Sequence, residues 1–247
     1  MLHKLRQARL LLPTLLAIAG LAVLAGLGTW QLERKVWKEA LIAKIAARVG
    51  APPVPISATT QTLPPGEDFE YLHVAAKGRF LHDKERYLYA PSPQGLAWHV
   101  YAPLELGPGL VVWVNRGLVP DAQKAPATRA AGQVDGLGEV RGVVRFVPTP
   151  TLFTPKNDVA GNLWYWPDLN AMTASAFPDG SVKAMGLFVE ADAEPRPPGG
   201  LPKGGVTRVA LPNRHLEYAL TWYGLAATLL GVYLAFAISR LRATIDV

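Results

Sequence analysis

The 247-residue chain contains no cysteine. That excludes disulfides, thiolate metal ligation, C-x-x-C redox chemistry and covalent haem attachment through C-x-x-C-H. It also lacks G-x-S-x-G, and Ser57, Ser92, Ser175, Ser181 and Ser239 stand without a nucleophile–base pattern. No phosphate-binding glycine loop, H-E-x-x-H or EF-hand signature occurs. His73, His82 and His99 lack the close pairing of a metal site and are expected as core or surface histidines. With no such constellation, the chain is not expected to be an enzyme. Charge is missing in two places, Leu10–Thr29 and Tyr218–Ile238, each about 20 residues long. A helix of ~20 apolar residues spans the ~30 Å hydrocarbon layer.

The first apolar run is longer than the ~7–15 residues of a signal-peptide core, and no A-x-A site follows, so an uncleaved anchor is expected. Lys4, Arg6 and Arg9 precede the first run, and Arg240 and Arg242 follow the second. Basic flanks face the cytoplasm, which puts both termini inside and the intervening segment outside. All the acidic residues except Asp246 lie in that segment, which is nearly balanced in charge. The basic pI of about 9.6 therefore reflects the tails and does not indicate nucleic acid. Nine residues before the first span leave no room for a mitochondrial transit peptide, so a bacterial inner membrane with a periplasmic main domain is expected.

The expected class is a membrane protein: two transmembrane helices flank an α+β, mainly antiparallel β domain, barrel- or sandwich-like, outside the cytoplasm. Its segments are a basic tail (1–9), a first span (10–30), an amphipathic helix (31–50), a β-rich domain (51–214), a second span (215–238) and a cytoplasmic tail (239–247). In the amphipathic segment Trp37, Leu41, Ile45 and Val49 repeat at helical spacing until Pro52, Pro53 and Pro55 end it. Strands are expected at Tyr71–Phe80, Glu85–Ala90, Ala97–Leu104, Leu110–Asn115, Gly138–Phe146, Asn162–Trp166 and Gly186–Glu190, rich in Val, Tyr, Trp and Phe and bounded by turn residues. Asp168–Phe177 reads as a helix capped by Asp168, and 195–205, rich in Pro and Gly, reads as a linker. The pairs Ala22/Gly26 and Ala227/Gly231 are small-residue contacts through which the two spans could pack.

Two places offer binding chemistry. Asn115 and Gly117 suit a turn after a strand, and Arg116 between them is either a solvated corner residue or a bidentate carboxylate binder. At the threshold of the second span, Asn213 is a good N-cap, with Arg214, His215 and Leu216 in the first helical turn. The positive end of a helix dipole favours neutral imidazole, the metal-ligating form. Tyr218, Ala219, Trp222, Ala226 and Tyr233 fall within about 60° of His215 on the helical wheel, a stripe that could receive a flat apolar ring. The plain alternative is an interfacial aromatic belt.

These residues also carry a resemblance. Gly28-Thr29-Trp30-Gln31-Leu32-Glu33-Arg34-Lys35 with Trp37-Lys38, Val114-Asn115-Arg116-Gly117, and Asn213-Arg214-His215-Leu216-Glu217-Tyr218-Ala219-Leu220-Thr221-Trp222-Tyr223 resemble three signatures of the surfeit locus protein 1 family. Arg214 departs from the asparagine of many members. The resemblance implies a cytochrome c oxidase assembly factor that helps deliver or insert haem a into subunit I and works beside haem a synthase and other assembly factors. His215 is the residue implied as iron ligand. Trp222, Tyr218, Trp30 and Trp37 are candidates to pack on the macrocycle, and Arg214 and Arg116 to meet its propionates. A membrane scaffold that stabilises subunit I without touching haem is the alternative.

Overall fold

The computed structural model describes residues 10–56, 69–92, 95–207 and 212–245. The chain divides into two compact units, one of Met1–Lys44 with Ala210–Val247 and one of Ile45–Val209.

The second unit is a β domain. Eight strands are formed: β1 (Val54–Pro55), β2 (His73–Phe80), β3 (Arg86–Ser92), β4 (Gly95–Gly107), β5 (Leu110–Pro120), β6 (Leu137–Arg145), β7 (Leu163–Trp164) and β8 (Lys183–Ala191). Hydrogen bonds run in the order β2–β6–β8–β5–β4, and a further pairing of Arg79 and Phe80 with Glu105 and Leu104 returns β4 to β2. The sheet is therefore a closed five-stranded barrel, which leaves none of those five strands as a free edge. All its ladders are antiparallel except β5–β8. Every expected strand is present within a few residues of its expected bounds; only the two-residue β1 was not read from the sequence.

Val74, Ala76, Leu104, Val112, Val114, Val144, Met185 and Val189 form the buried barrel core. A second cluster lies on the opposite face of β5, where Trp113 meets Tyr101, Trp164, Leu169, Met172 and Phe188. It is roofed by helix α2 (Leu169–Ala176), whose start is capped by Asp168 accepting from the Ala171 N–H at 3.0 Å. The Trp113 indole N–H donates to Thr173 Oγ1 at 2.9 Å, so the largest buried side chain of β5 leaves no orphan donor.

Two local readings change. β5 does not end in a turn at Asn115 but continues to Pro120. His99 pairs with Leu118 and Tyr101 with Asn115, so Arg116 and Gly117 together oppose Val100 alone. This β-bulge has its positive-φ glycine at Gly117 (φ 113°). An added Cβ there would lie 2.0 Å from the Lys203 carbonyl oxygen. The proline- and glycine-rich segment 195–205 is irregular, as its composition requires, yet it is bonded to the barrel. Leu118 and Lys203 exchange both backbone hydrogen bonds at 2.9 Å, and Gly205 N–H donates to Ala191.

The other unit is a pair of helices. α1 (Leu11–Val49, 39 residues) runs without a break from the first apolar stretch through the amphipathic segment and into the β unit. At 1.5 Å per residue it is about 58 Å long, roughly twice a hydrocarbon layer. α3 spans His215–Ile245. Both are long and apolar enough to cross a membrane, and only 11% of the apolar window of α1 and none of that of α3 is buried in the chain.

Candidate functional site

The pairing of the two helices follows from their sequences. Buried and half-buried positions on α1 include Thr14, Ala17, Leu21, Leu24, Gly28 and Gln31; on α3 they include His215, Ala219, Trp222, Ala226, Leu229 and Tyr233. Spacings alternate between three and four residues on both helices, the 3.5-residue repeat that keeps one seam facing a partner. Tyr233 O–H reaches Thr14 Oγ1 at 2.6 Å, and Tyr223 O–H reaches Thr29 Oγ1 at 3.0 Å. Each threonine hydroxyl spends its own proton on the carbonyl four residues back, so the tyrosines are the donors. A Cβ on Gly20 would lie 2.9 Å from Leu229 Cδ2, and one on Gly28 would lie 2.8 Å from the Tyr223 ring.

The close-approach glycines are thus Gly20 and Gly28. The pairs Ala22/Gly26 and Ala227/Gly231 do not make the contact: Ala22, Gly26, Ala227 and Gly231 are exposed, and neither Gly26 nor Gly231 has an atom within 4 Å of an added Cβ. A small-xxx-small count ignores which face is turned inward, and these positions lie off the seam.

His215 is the first residue of α3, and it is half-buried on the seam. Its Nδ1 lies 2.7 Å from Gln31 Oε1 on α1. An amide oxygen only accepts, so Nδ1 carries the proton and donates. Nε2 makes no hydrogen bond with any described residue, and a neutral imidazole protonated on Nδ1 presents Nε2 as a lone pair. The Tyr218 N–H donates to the Arg214 carbonyl, which makes Arg214 the N-cap. Asn213, expected to cap, does not: its Oδ1 is buried with no partner among the described residues.

The other expected site residues of this unit sort by face. Trp222 is half-buried on the seam, whereas Tyr218, 55% exposed, lies outside it. Trp30 and Trp37 are about half exposed, one heptad apart on one face of α1, and the Arg34 guanidinium sits 4.3 Å from the Trp37 ring centroid. Arg214 is exposed. Gln31 stands within the first signature segment but was not among the expected site residues, because an uncharged amide names no chemistry by itself; the partner across the seam supplies it.

Arg116 belongs to the barrel unit. The bulge turns it inward, and burial brings the guanidinium down to about 10 against the attraction of Glu85. It donates to the Gly132 carbonyl at 2.7 Å, stands 3.5 Å from Glu85 Oε1, and packs 4.8 Å over the Phe80 ring. Glu85, 3% exposed, also accepts from Arg129, Tyr87 and Gln133. Arg116 thus meets a carboxylate, but one of its own chain. His82 Nε2–H donates to the Val134 carbonyl while Nδ1 accepts from Arg116; burial and the Arg116 charge hold its pKa below the ordinary value. His73 is the opposite case. Burial would lower it, but both ring nitrogens face acceptors, the Ala51 carbonyl at 2.6 Å and Asp192 at 2.8 Å, and its pKa is raised.

The sequence model of the SURF1 family matches residues 18–227, which takes in Gln31, Arg116 and His215. The chain is 38% identical over 221 residues to the SURF1-like protein of Monosiga brevicollis, covering 84% of this chain and 81% of that protein. It is also 38% identical to surfeit locus protein 1 of Homo sapiens over 220 residues (82% and 70%) and to that of Mus musculus over 218 residues (82% and 68%). The barrel and all three signature segments fall within the matched span, with most of α1 and the first part of α3, and the chain belongs to the SURF1 family.

Proposed function

We propose that this protein is a membrane-anchored assembly factor for haem-copper oxidase that carries haem a toward subunit I. The observation that carries this reading is the state of His215: a half-buried imidazole whose Nδ1 is committed to Gln31 and whose Nε2 has no hydrogen-bond partner among the described residues. An imidazole nitrogen that keeps its lone pair could ligate a haem iron. The half-exposed Trp30 and Trp37 and the exposed Tyr218 provide apolar ring surface of the kind a macrocycle packs on, Trp222 supports the seam beneath, and Arg214 is the exposed cation beside His215 for a propionate. Arg116, whose guanidinium is already engaged by Glu85, has the weaker claim to that role.

The cargo supplies an iron that accepts one nitrogen lone pair; the protein's part is to hold that lone pair in place and shield it. A single protein ligand suits a carrier, because histidines of the recipient can compete for the iron. The chain would act without catalysis, as a chaperone, together with haem a synthase and other oxidase assembly factors. The two exposed apolar helices support anchorage in lipid, and the basic flanks support cytoplasmic termini with the barrel on the other side, in a bacterial inner membrane. The test is co-expression with the enzymes of haem a synthesis. Wild type should purify with a haem a absorbance band that His215→Ala lacks; equal occupancy would sink the ligand assignment.

One observation favours a scaffold that holds subunit I without haem. Leu152 and Phe153 are 100% and 94% exposed on a turn held by Thr151 and Thr154. Purification with oxidase subunits but no haem band would support that reading.

A further inference from the structure

We infer that Gln31 is the positioning residue for His215: it selects the Nδ1–H tautomer and so makes Nε2 the ligating atom. The inference rests on the reading of His215 as a ligand. Its basis is the 2.7 Å contact between Nδ1 and Gln31 Oε1, which joins two residues 184 positions apart in sequence.

Several features make this more than a chance contact. Gln31 lies on the seam of α1, so its amide is aimed at α3 by the helix itself. One turn earlier, Gly28 lets the Tyr223 ring approach as no other residue would, and the Tyr223 hydroxyl is bonded to Thr29. Those contacts fix the spacing of the helices beside the Gln31–His215 pair, so a flexible side chain is held in one geometry. The choice of an amide is also informative. Ligating histidines usually give their second N–H to a carboxylate, a carbonyl or water. A carboxylate here would set a charge on the half-buried seam beside His215, at a cost in desolvation. It would also raise the basicity of the ligand nitrogen. An amide fixes the tautomer without either effect, which suits a ligand that must let its cargo go.

The experiment uses full-length protein in nanodiscs with 15N-labelled histidine, at about pH 8.5, well above the ordinary imidazole value of about 6.5. The His215 signals are identified by their loss in His215→Ala. In wild type Nδ1 should report as protonated and Nε2 as bare. Gln31→Leu should release the ring into a mixture of tautomers, and Gln31→Glu, which keeps an acceptor, should restore the locked form. Titration with haem a should show binding weakened about 10- to 100-fold in Gln31→Leu, the usual penalty for losing an orienting partner. In Gln31→Glu binding should be at least as tight as wild type, with slower release. A Gln31→Leu ring that stays locked on Nδ1–H, or a wild-type ring protonated on Nε2, would overturn the inference. A locked wild type, a released Gln31→Leu and no haem a binding in either would uphold the role of Gln31 and refute the carrier.

Discussion

Glu85→Gln should be among the most destabilising single changes in the barrel unit. The carboxylate is 3% exposed and is shared by two buried cations, Arg129 and Arg116, as well as by Tyr87 and Gln133. The replacement preserves shape but strands two guanidinium groups away from water. Removing one partner of a buried ion pair costs about 3–5 kcal/mol, because the remaining charge is uncompensated. A typical domain is stable by only about 5–15 kcal/mol, so the loss is a large share of the total. Arg129→Met should cost less, because Glu85 keeps Arg116 and strands no charge. The double variant should fall short of the sum of the singles, since the two residues touch. The assay is urea unfolding of detergent-solubilised full-length protein, read by the fluorescence of Trp113 and Trp164, both fully buried in this unit. Glu85→Gln within about 1 kcal/mol of wild type, the range of an ordinary neutral hydrogen bond, would refute the shared-counterion argument. So would an Arg129→Met cost as large as that of Glu85→Gln.

The two barrel histidines should act on stability in opposite senses. The raised pKa of His73 means the fold prefers imidazolium, so its contribution is fully present below 6.5 and is lost as pH rises through the folded value. The lowered pKa of His82 means the fold disfavours imidazolium, so its cost is absent above 6.5 and grows as pH falls from there through the folded value. His73→Gln should flatten the alkaline limb of a denaturation-midpoint profile and His82→Gln the acid limb; no change in either limb would contradict the assignments. Trp164→Ala, at a fully buried position, should lower stability by about 3–5 kcal/mol in the same unfolding assay. Gly117→Ala should unfold the domain or displace segment 195–205, detectable as new protease cleavage there, since the added Cβ falls 2.0 Å from the Lys203 oxygen. Leu152→Ser with Phe153→Ser should leave the unfolding midpoint unchanged, because neither side chain is buried.

Much of this molecule is legible in its residues, because the relevant signals are local. Charge-free runs, helical periodicity up to the prolines after Gly50, and Val- and Tyr-rich segments between turns describe the chemistry of one stretch at a time, so α1, α3 and the strands are where their composition places them. Asp168 before Leu169 is a cap because the first turn of a helix has orphan N–H groups, whatever surrounds it. What depends on two distant stretches was not legible. Closure of β4 onto β2 is decided by pairings about 25 residues apart. The bulge that swings Arg116 inward exists only relative to its partner strand, and Glu85, an ordinary acidic residue just before β3, becomes a shared counterion only when Arg116 and Arg129 are folded against it. The candidate site divides the same way. His215, at the start of an apolar run, is visible to anyone reading along the chain. Its tautomer and its free nitrogen are set by Gln31 on the other helix, because a hydrogen bond across a helix seam belongs to neither sequence segment alone.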